Sequence, residues 1–140
     1  MISPEELIES YNRDKTEDRF INRISALKES GFNTSIIEKG VNEAIDVITN
    51  KGGNSFVIYG EPQSGKTELM IALTCKLLDC GFKTIFVVVN DNTELETQNF
   101  DRFLSACQLN PSPVRDWQVE ELLPQQLKQD IPRVVFCRKN

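Results

Sequence analysis

The spacing of hydrophobic positions along the chain changes near residue 52. Before that point, apolar residues recur every three or four positions, a spacing typical of amphipathic helices. Two stripes of this kind are present: Phe20, Ile24 and Leu27, and then Ile37, Val41, Ala44 and Ile48. The pattern predicts that residues 1–52 form a helical N-terminal extension.

Beyond residue 52 the apolar residues form continuous runs. Three runs, FVIY at 56–59, TIFVVV at 84–89 and RVVFC at 133–137, are predicted to be buried β-strands. Helices are predicted between them, over residues 68–80 and 93–108, followed by a short amphipathic segment at 114–123. Continuous apolar strands that alternate with helices favour an α/β fold, in which a parallel sheet has helices on both faces. We therefore expect residues 53–140 to form the first part of a three-layer domain.

The turn after the first predicted strand carries the clearest chemical signal. GEPQSGKT, residues 60–67, matches the pattern G-x-x-x-x-G-K-[ST] in full. Such a loop wraps backbone amides around phosphate, while the lysine reaches the β- and γ-phosphates and the hydroxyl binds Mg²⁺. We predict ATP and Mg²⁺ as cofactors, Lys66 and Thr67 as catalytic residues, and Thr67 as a metal ligand. The predicted nucleotide-binding residues are Gly60, Glu61, Pro62, Gln63, Ser64, Gly65, Lys66, Thr67 and Glu68.

Around this loop the chain resembles P-loop NTPases. The segments QSGKTELMIALTCKLLDCGFKTIFVVVNDNTELETQNFDRF and VVFCRKN are most similar to the N-terminal part of a superfamily-two helicase-like ATPase domain. They resemble most closely the Z-one type found in bacterial endonucleases. This resemblance implies a RecA-like parallel sheet, ATP hydrolysis in a longer protein, and action on DNA or RNA, with a role in restriction or defence.

A polar segment after the second predicted strand extends the resemblance. These families have the form N-x-x-L-x-x-Q-x-x-x-R here, and the segment lies near the nucleic-acid backbone. The resemblance implies that Asn92, Gln98 and Arg102 contact nucleic acid. The residues alone leave a simpler interpretation open, because Thr93 and Glu96 form a capping box that needs no ligand.

Hydrolysis also needs an acidic residue to hold Mg²⁺ and a group that positions water. The related families carry adjacent acids on a later strand, and none of the apolar runs here ends in Asp-Glu. We expect further domains or subunits of a longer ATPase to supply the acids and an arginine. In a second interpretation Asp91 is the Mg²⁺ ligand of a small phosphotransferase, with Arg115, Arg133 or Arg138 against the phosphate. A third is a nucleotide-dependent interaction module without turnover.

The amino-acid composition limits which functional classes are expected for this chain. The formal net charge is −5, so an extended basic surface for nucleic acid is not expected from the whole chain. The chain has four cysteines in no CxxC pair and no histidine, which disfavours zinc sites and histidine-dependent catalytic triads. No apolar run approaches the roughly 20 residues of a membrane span. We expect a cytoplasmic protein whose thiols are reduced and mostly buried.

Overall fold

The computed structural model describes residue 4 and the ranges 18–53, 55–59, 65–89, 93–106, 113–115 and 132–138. The chain divides into two compact units, Met1–Cys80 and Gly81–Asn140. The first contains helices α1 (Arg19–Glu29), α2 (Ser35–Thr49) and α3 (Lys66–Asp79). The second contains strand β1 (Thr84–Val89), helix α4 (Thr93–Ser105), and strands β2 (Val114–Arg115) and β3 (Arg133–Arg138). The predicted boundary after residue 52 stays a prediction.

Helices α1 and α2 both pack against α3 in the first unit. The predicted stripes supply this core: Phe20, Ile24, Leu27, Ile37, Val41 and Ala44 are buried, together with Ile71, Ala72, Cys75 and Leu78 of α3. Burying a side chain of Leu, Ile or Phe size stabilises a fold by about 1.5–3 kcal/mol. The helices predicted from the two apolar stripes and at 68–80 are therefore confirmed, although Ile48 is only half-buried, and the part of the predicted extension at 5–17 lies outside the described residues. Gly40 allows the close approach of α2 and α3, because a Cβ there would lie 3.0 Å from Leu69 Cδ1.

The start of α1 is held by a carboxylate from the end of α3. Asp79 accepts hydrogen bonds from the backbone N–H groups of Phe20, at 2.9 Å, and Arg19, at 3.3 Å. These are first-turn amides, which have no acceptor within their own helix. The Arg19 guanidinium also lies 3.6 Å from the same carboxylate. Asp79 thus holds α1 on α3 through two hydrogen bonds to backbone N–H groups and through its ion pair with Arg19.

The prediction of a buried strand at 56–59 is wrong. Residues 55–59 form no strand, and their side chains are exposed, Val57 by 92%. An apolar β-branched run is suited to a strand, but a strand forms only where neighbouring strands supply its hydrogen bonds. The run therefore cannot be counted among the strands of the sheet.

The sheet of the second unit is parallel, with strand order β1-β3-β2. Val87 of β1 pairs with Phe136 of β3 in the register. Helix α4 covers this face, because Phe100 and Phe103 both pack edge-to-face on Phe136, with ring centroids 5.4 and 4.9 Å away. A parallel sheet with a helix packed on one face confirms the α/β class. The three-layer P-loop arrangement stays a prediction.

Two details of this unit differ from the sequence-based expectation. Strand β1 is expected to be fully buried, but Phe86 and Val88 are exposed because they lie on the face opposite Val87. The segment expected to be amphipathic at 114–123 begins with the short strand β2, which the sequence analysis missed. Residues 116–123 lie outside the described part of the chain.

Candidate functional site

Helix α3 begins inside the sequence motif. Gly65 precedes the helix with φ of 86°, a left-handed conformation that glycine adopts without strain. The first bond of the helix runs from the Leu69 N–H to the Gly65 carbonyl, at 3.0 Å. The amide dipoles of this turn therefore point out of the N-terminus of the helix, which favours an anion there.

Lys66 and Thr67 occupy the first turn of α3. The Lys66 side chain is exposed and the Thr67 side chain is half-buried. Both are thus next to the end of the helix where an anion is most strongly attracted. The other loop residues of the motif, 60–64, lie outside the described residues, so their predicted roles stay predictions.

Glu68, in the same turn, is bound to the N-terminal extension. The Arg23 guanidinium of α1 donates a hydrogen bond from Nη2 to Glu68 Oε2. The two side chains are only 13% and 12% exposed. Partial burial reduces screening by solvent, so this ion pair is stronger than a surface pair.

A second residue of the extension lies against the motif. A Cβ on Gly65 would be 3.4 Å from Cζ of Phe32, whose ring is partly exposed. That distance is an ordinary van der Waals contact, so the ring alone would admit a side chain at position 65. The positive φ is the feature that favours glycine before the lysine.

An apolar groove of about 400 Å³ lies beside α3 in the same unit. Leu69 of α3, Gly40 and Val47 of α2, and Phe56 and Tyr59 line it. Its volume falls within the range of about 300–1,000 Å³ that is common for small-molecule sites. Tyr59 directly precedes the first glycine of the motif, so the groove and the motif are adjacent in the sequence.

The predicted nucleic-acid residues divide into two groups. Gln98 and Arg102 are both exposed on α4, one helical turn apart. Asn92, and the predicted metal ligand Asp91, lie outside the described residues. The structure therefore presents two of the three predicted nucleic-acid contacts on one surface and describes neither Asn92 nor Asp91.

Two of the three arginines of the phosphotransferase alternative can be placed, whereas the side chain of Arg138 lies outside the described part of the chain. The Arg115 guanidinium carbon lies 4.3 Å from the centroid of the Phe100 ring, a cation–π arrangement. Arg133 is buried at the start of β3. Neither position resembles an exposed clamp for a phosphoryl group.

The cysteines and acids in the described part of the chain do not form a metal site. No group of three or more Cys, Asp or Glu residues lies close enough there to hold a metal ion. Cys75 is buried, and burial raises the pKa of its thiol to about 12, whereas Cys80 is exposed. The expectation that most thiols are buried therefore holds for Cys75 and fails for Cys80. Within the described ranges, no helix has the length and apolar character needed to cross a membrane.

Comparison with known proteins gave no match: no protein-family model, no curated protein and no solved structure is similar to this chain. The P-loop and helicase-like interpretations therefore stay predictions from the sequence.

Sequence analysis missed the part played by the N-terminal extension. Arg23 lies three residues after Phe20 and four before Leu27, so it falls on the buried stripe of α1. A charged residue on an apolar face requires a partner, because burial of an isolated charge is costly. That rule could have predicted a buried acid opposite Arg23, but it could not have selected Glu68.

Proposed function

We propose that this chain binds Mg-ATP through residues 60–68, as the nucleotide-binding part of a helicase-like ATPase that acts on DNA or RNA. The proposal includes a P-loop arrangement of the fold. Its main support is the coincidence of a full phosphate-loop motif with the start of α3, where Gly65 has positive φ and the Lys66 side chain is exposed. Such a start combines outward-pointing amides, a helix dipole and a lysine, all of which favour phosphate.

The residues of this turn have separate tasks in the proposal. The Lys66 ammonium binds the β- and γ-phosphates, and the amides of the turn donate to phosphate oxygens. The Thr67 hydroxyl is the Mg²⁺ ligand that this chain supplies. When bound, the metal neutralises phosphate charge. The acid and arginine needed for hydrolysis come, in this proposal, from further domains or subunits.

The nucleic-acid part of the proposal rests on α4. Gln98 and Arg102 are exposed on it, opposite the ring contacts of Phe100 and Phe103 with the sheet. An amide and a guanidinium one turn apart can both donate hydrogen bonds to phosphate oxygens of a nucleic-acid backbone.

Calorimetric titration with Mg-ATP tests the nucleotide site. We expect Lys66→Ala to weaken ATP binding by about ten- to a hundredfold, since it removes a charge-assisted hydrogen bond to phosphate. Lys51→Ala is the matched control, because Lys51 is an exposed lysine of the same unit that pairs with Asp46 at 3.3 Å. Equal affinity in all three proteins would exclude the proposed phosphate loop.

Titration with Mg-GTP on the same samples measures the base preference. Phosphate release, with and without DNA or RNA, measures turnover. Binding that needs Lys66 but shows no turnover is the expected result for a chain whose catalytic acid lies elsewhere.

A further inference from the structure

Glu68 creates an electrostatic problem for the proposed phosphate site. Its carboxylate is in the first turn of α3, two residues after Lys66. A carboxylate in the first turn is attracted by the same helix dipole that attracts phosphate. It also repels phosphate by like charge, and this repulsion is stronger where solvent is partly excluded. A nucleotide site with this residue therefore requires a means of cancelling the charge.

We propose that Arg23 of α1 is a positioning residue of the phosphate site, which holds the Glu68 carboxylate and cancels its charge where the nucleotide phosphates bind. This inference rests on the proposed function. It gives the N-terminal extension a direct part in nucleotide affinity, in addition to packing.

The contact between the two residues supports this role. Arg23 Nη2 donates to Glu68 Oε2, and both side chains are more than four-fifths buried. The bond fixes the direction of the carboxylate as well as its charge. The Phe32 ring, between α1 and α2, also lies close to Gly65, the residue before Lys66.

Arg23 is itself held firmly in place. It lies on α1 between the buried residues Phe20 and Leu27. The start of α1 is bound to α3 by Asp79. Because α1 cannot shift without losing these contacts, the guanidinium is presented to Glu68 before any nucleotide arrives. Such preorganisation lowers the cost of ligand binding.

If Arg23 cancels the charge of Glu68, several results are expected that would not follow if Arg23 only packed against α3. Removing the Arg23 charge leaves the Glu68 carboxylate opposed to the phosphates, so affinity falls. Removing the Glu68 charge as well takes away the repulsion, so affinity returns. The loss is greater for ATP than for ADP, because ATP carries one more phosphate and more negative charge.

The test uses Arg23→Met, Glu68→Gln and the double variant, each titrated calorimetrically with Mg-ATP and Mg-ADP. We expect Arg23→Met to weaken ATP binding by about three- to tenfold, the effect of one partly screened like charge. Residue 68 contributes only its backbone N–H to the proposed site, and Glu68→Gln leaves the Arg23 charge uncompensated, so this variant should bind ATP more tightly than the wild type. The double variant should return close to wild-type affinity. Arg23→Lys, which keeps the charge, should lose less than Arg23→Met.

Lys66→Ala, titrated in parallel, separates the two proposals. If Lys66→Ala is defective while Arg23→Met binds both nucleotides like the wild type, the role of Arg23 is overturned and the phosphate loop stands. A double variant as weak as Arg23→Met also overturns it, because the loss would then come from packing. If Lys66→Ala binds like the wild type, the proposed function itself fails. Circular dichroism of each variant at the titration temperature verifies that the proteins compared are folded.

Discussion

Replacing Asp79 with alanine tests how the N-terminal extension is attached to α3. The Asp79 carboxylate is 7% exposed and accepts the backbone N–H groups of Arg19 and Phe20. It also pairs with the Arg19 guanidinium, which is 4% exposed. Alanine removes both acceptors and the negative charge at once, while the surrounding backbone is unchanged.

The expected loss follows from these contacts. A hydrogen bond to a charged group contributes about 1.5–3 kcal/mol, and removing one member of a buried ion pair costs about 3–5 kcal/mol. These contributions overlap, because a single carboxylate makes all three contacts. We therefore expect Asp79→Ala to lower the free energy of unfolding by about 3 kcal/mol. Asp79→Asn keeps one acceptor oxygen, so we expect a smaller loss of about 1–2 kcal/mol.

Urea denaturation followed by far-ultraviolet circular dichroism measures these differences. Asp46→Ala is the matched control, because Asp46 is an exposed acid of α2 with contacts to Asn50 and Lys51. The midpoint of the control should move much less than that of Asp79→Ala. An Asp79→Ala protein with the wild-type midpoint would refute the attachment of α1 described above.

The pH dependence of stability gives an independent test of the environment of Asp79. Burial, the largest influence, raises the pKa of Asp79 above the ordinary value, against the lowering effects of the Phe20 and Arg19 amides and the Arg19 charge. The folded protein then holds a proton at Asp79 more tightly than the unfolded chain does. The contribution of Asp79 to the free energy of unfolding is therefore smallest near neutral pH. It increases as the pH falls through the raised pKa, and levels off below the unfolded value of about 3.9.

Asp79→Asn lacks this titration and serves as the reference. The stability of the wild type relative to Asp79→Asn should increase on acidification from about pH 7 to about pH 4. A relative stability that decreases instead would mean that the Arg19 charge outweighs burial.

Three further predictions concern other parts of the chain. A maleimide should label Cys80 rapidly and Cys75 only after unfolding, because Cys75 is inaccessible and its pKa is raised to about 12; mass spectrometry would measure both rates. Phe136→Ala should lower the free energy of unfolding by about 3–5 kcal/mol, measured by urea denaturation, since it removes a fully buried ring. Gln98→Ala combined with Arg102→Ala should weaken DNA or RNA binding without changing ATP affinity, as measured by fluorescence anisotropy.

A specific result would contradict each of these three predictions. Equal labelling of the two cysteines in the folded protein would contradict the burial of Cys75. A Phe136→Ala protein as stable as the wild type would contradict the packing of α4 on the sheet. Thr97→Ala is the control on α4, because Thr97 is exposed on the same helix. Unchanged nucleic-acid binding by the double variant, at a level equal to this control, would leave α4 with a structural role only.

Helices were more predictable here than strands. The stripes at Phe20, Ile24 and Leu27 identify α1 because a helix satisfies its own backbone hydrogen bonds, and its spacing is visible in the local sequence. A strand depends on partners distant in sequence. FVIY has the composition of a buried strand and forms none, whereas β2 is only two residues long and carries no strand signal.

The candidate site was predictable only where it is contiguous in sequence. The motif selects Lys66 and Thr67 as candidates, and α3 begins at Lys66, two residues before the predicted start at residue 68. The Arg23–Glu68 contact joins residues 45 positions apart, and a local pattern cannot select such a pair. The partner is chosen by the packing of α1 on α3, which depends on side chains across both helices.

Amide chemical shifts of the isotopically labelled chain, recorded during titration with Mg-ATP, test the central claim most directly. If phosphate binds at the start of α3, the largest shifts should occur at the N–H groups of residues 60, 61 and 63–68, with Gly65 and Lys66 among them. These shifts should be lost in Lys66→Ala. A titration in which these amides do not move, or in which the shifts lie only in residues 81–140, would contradict the phosphate site at α3.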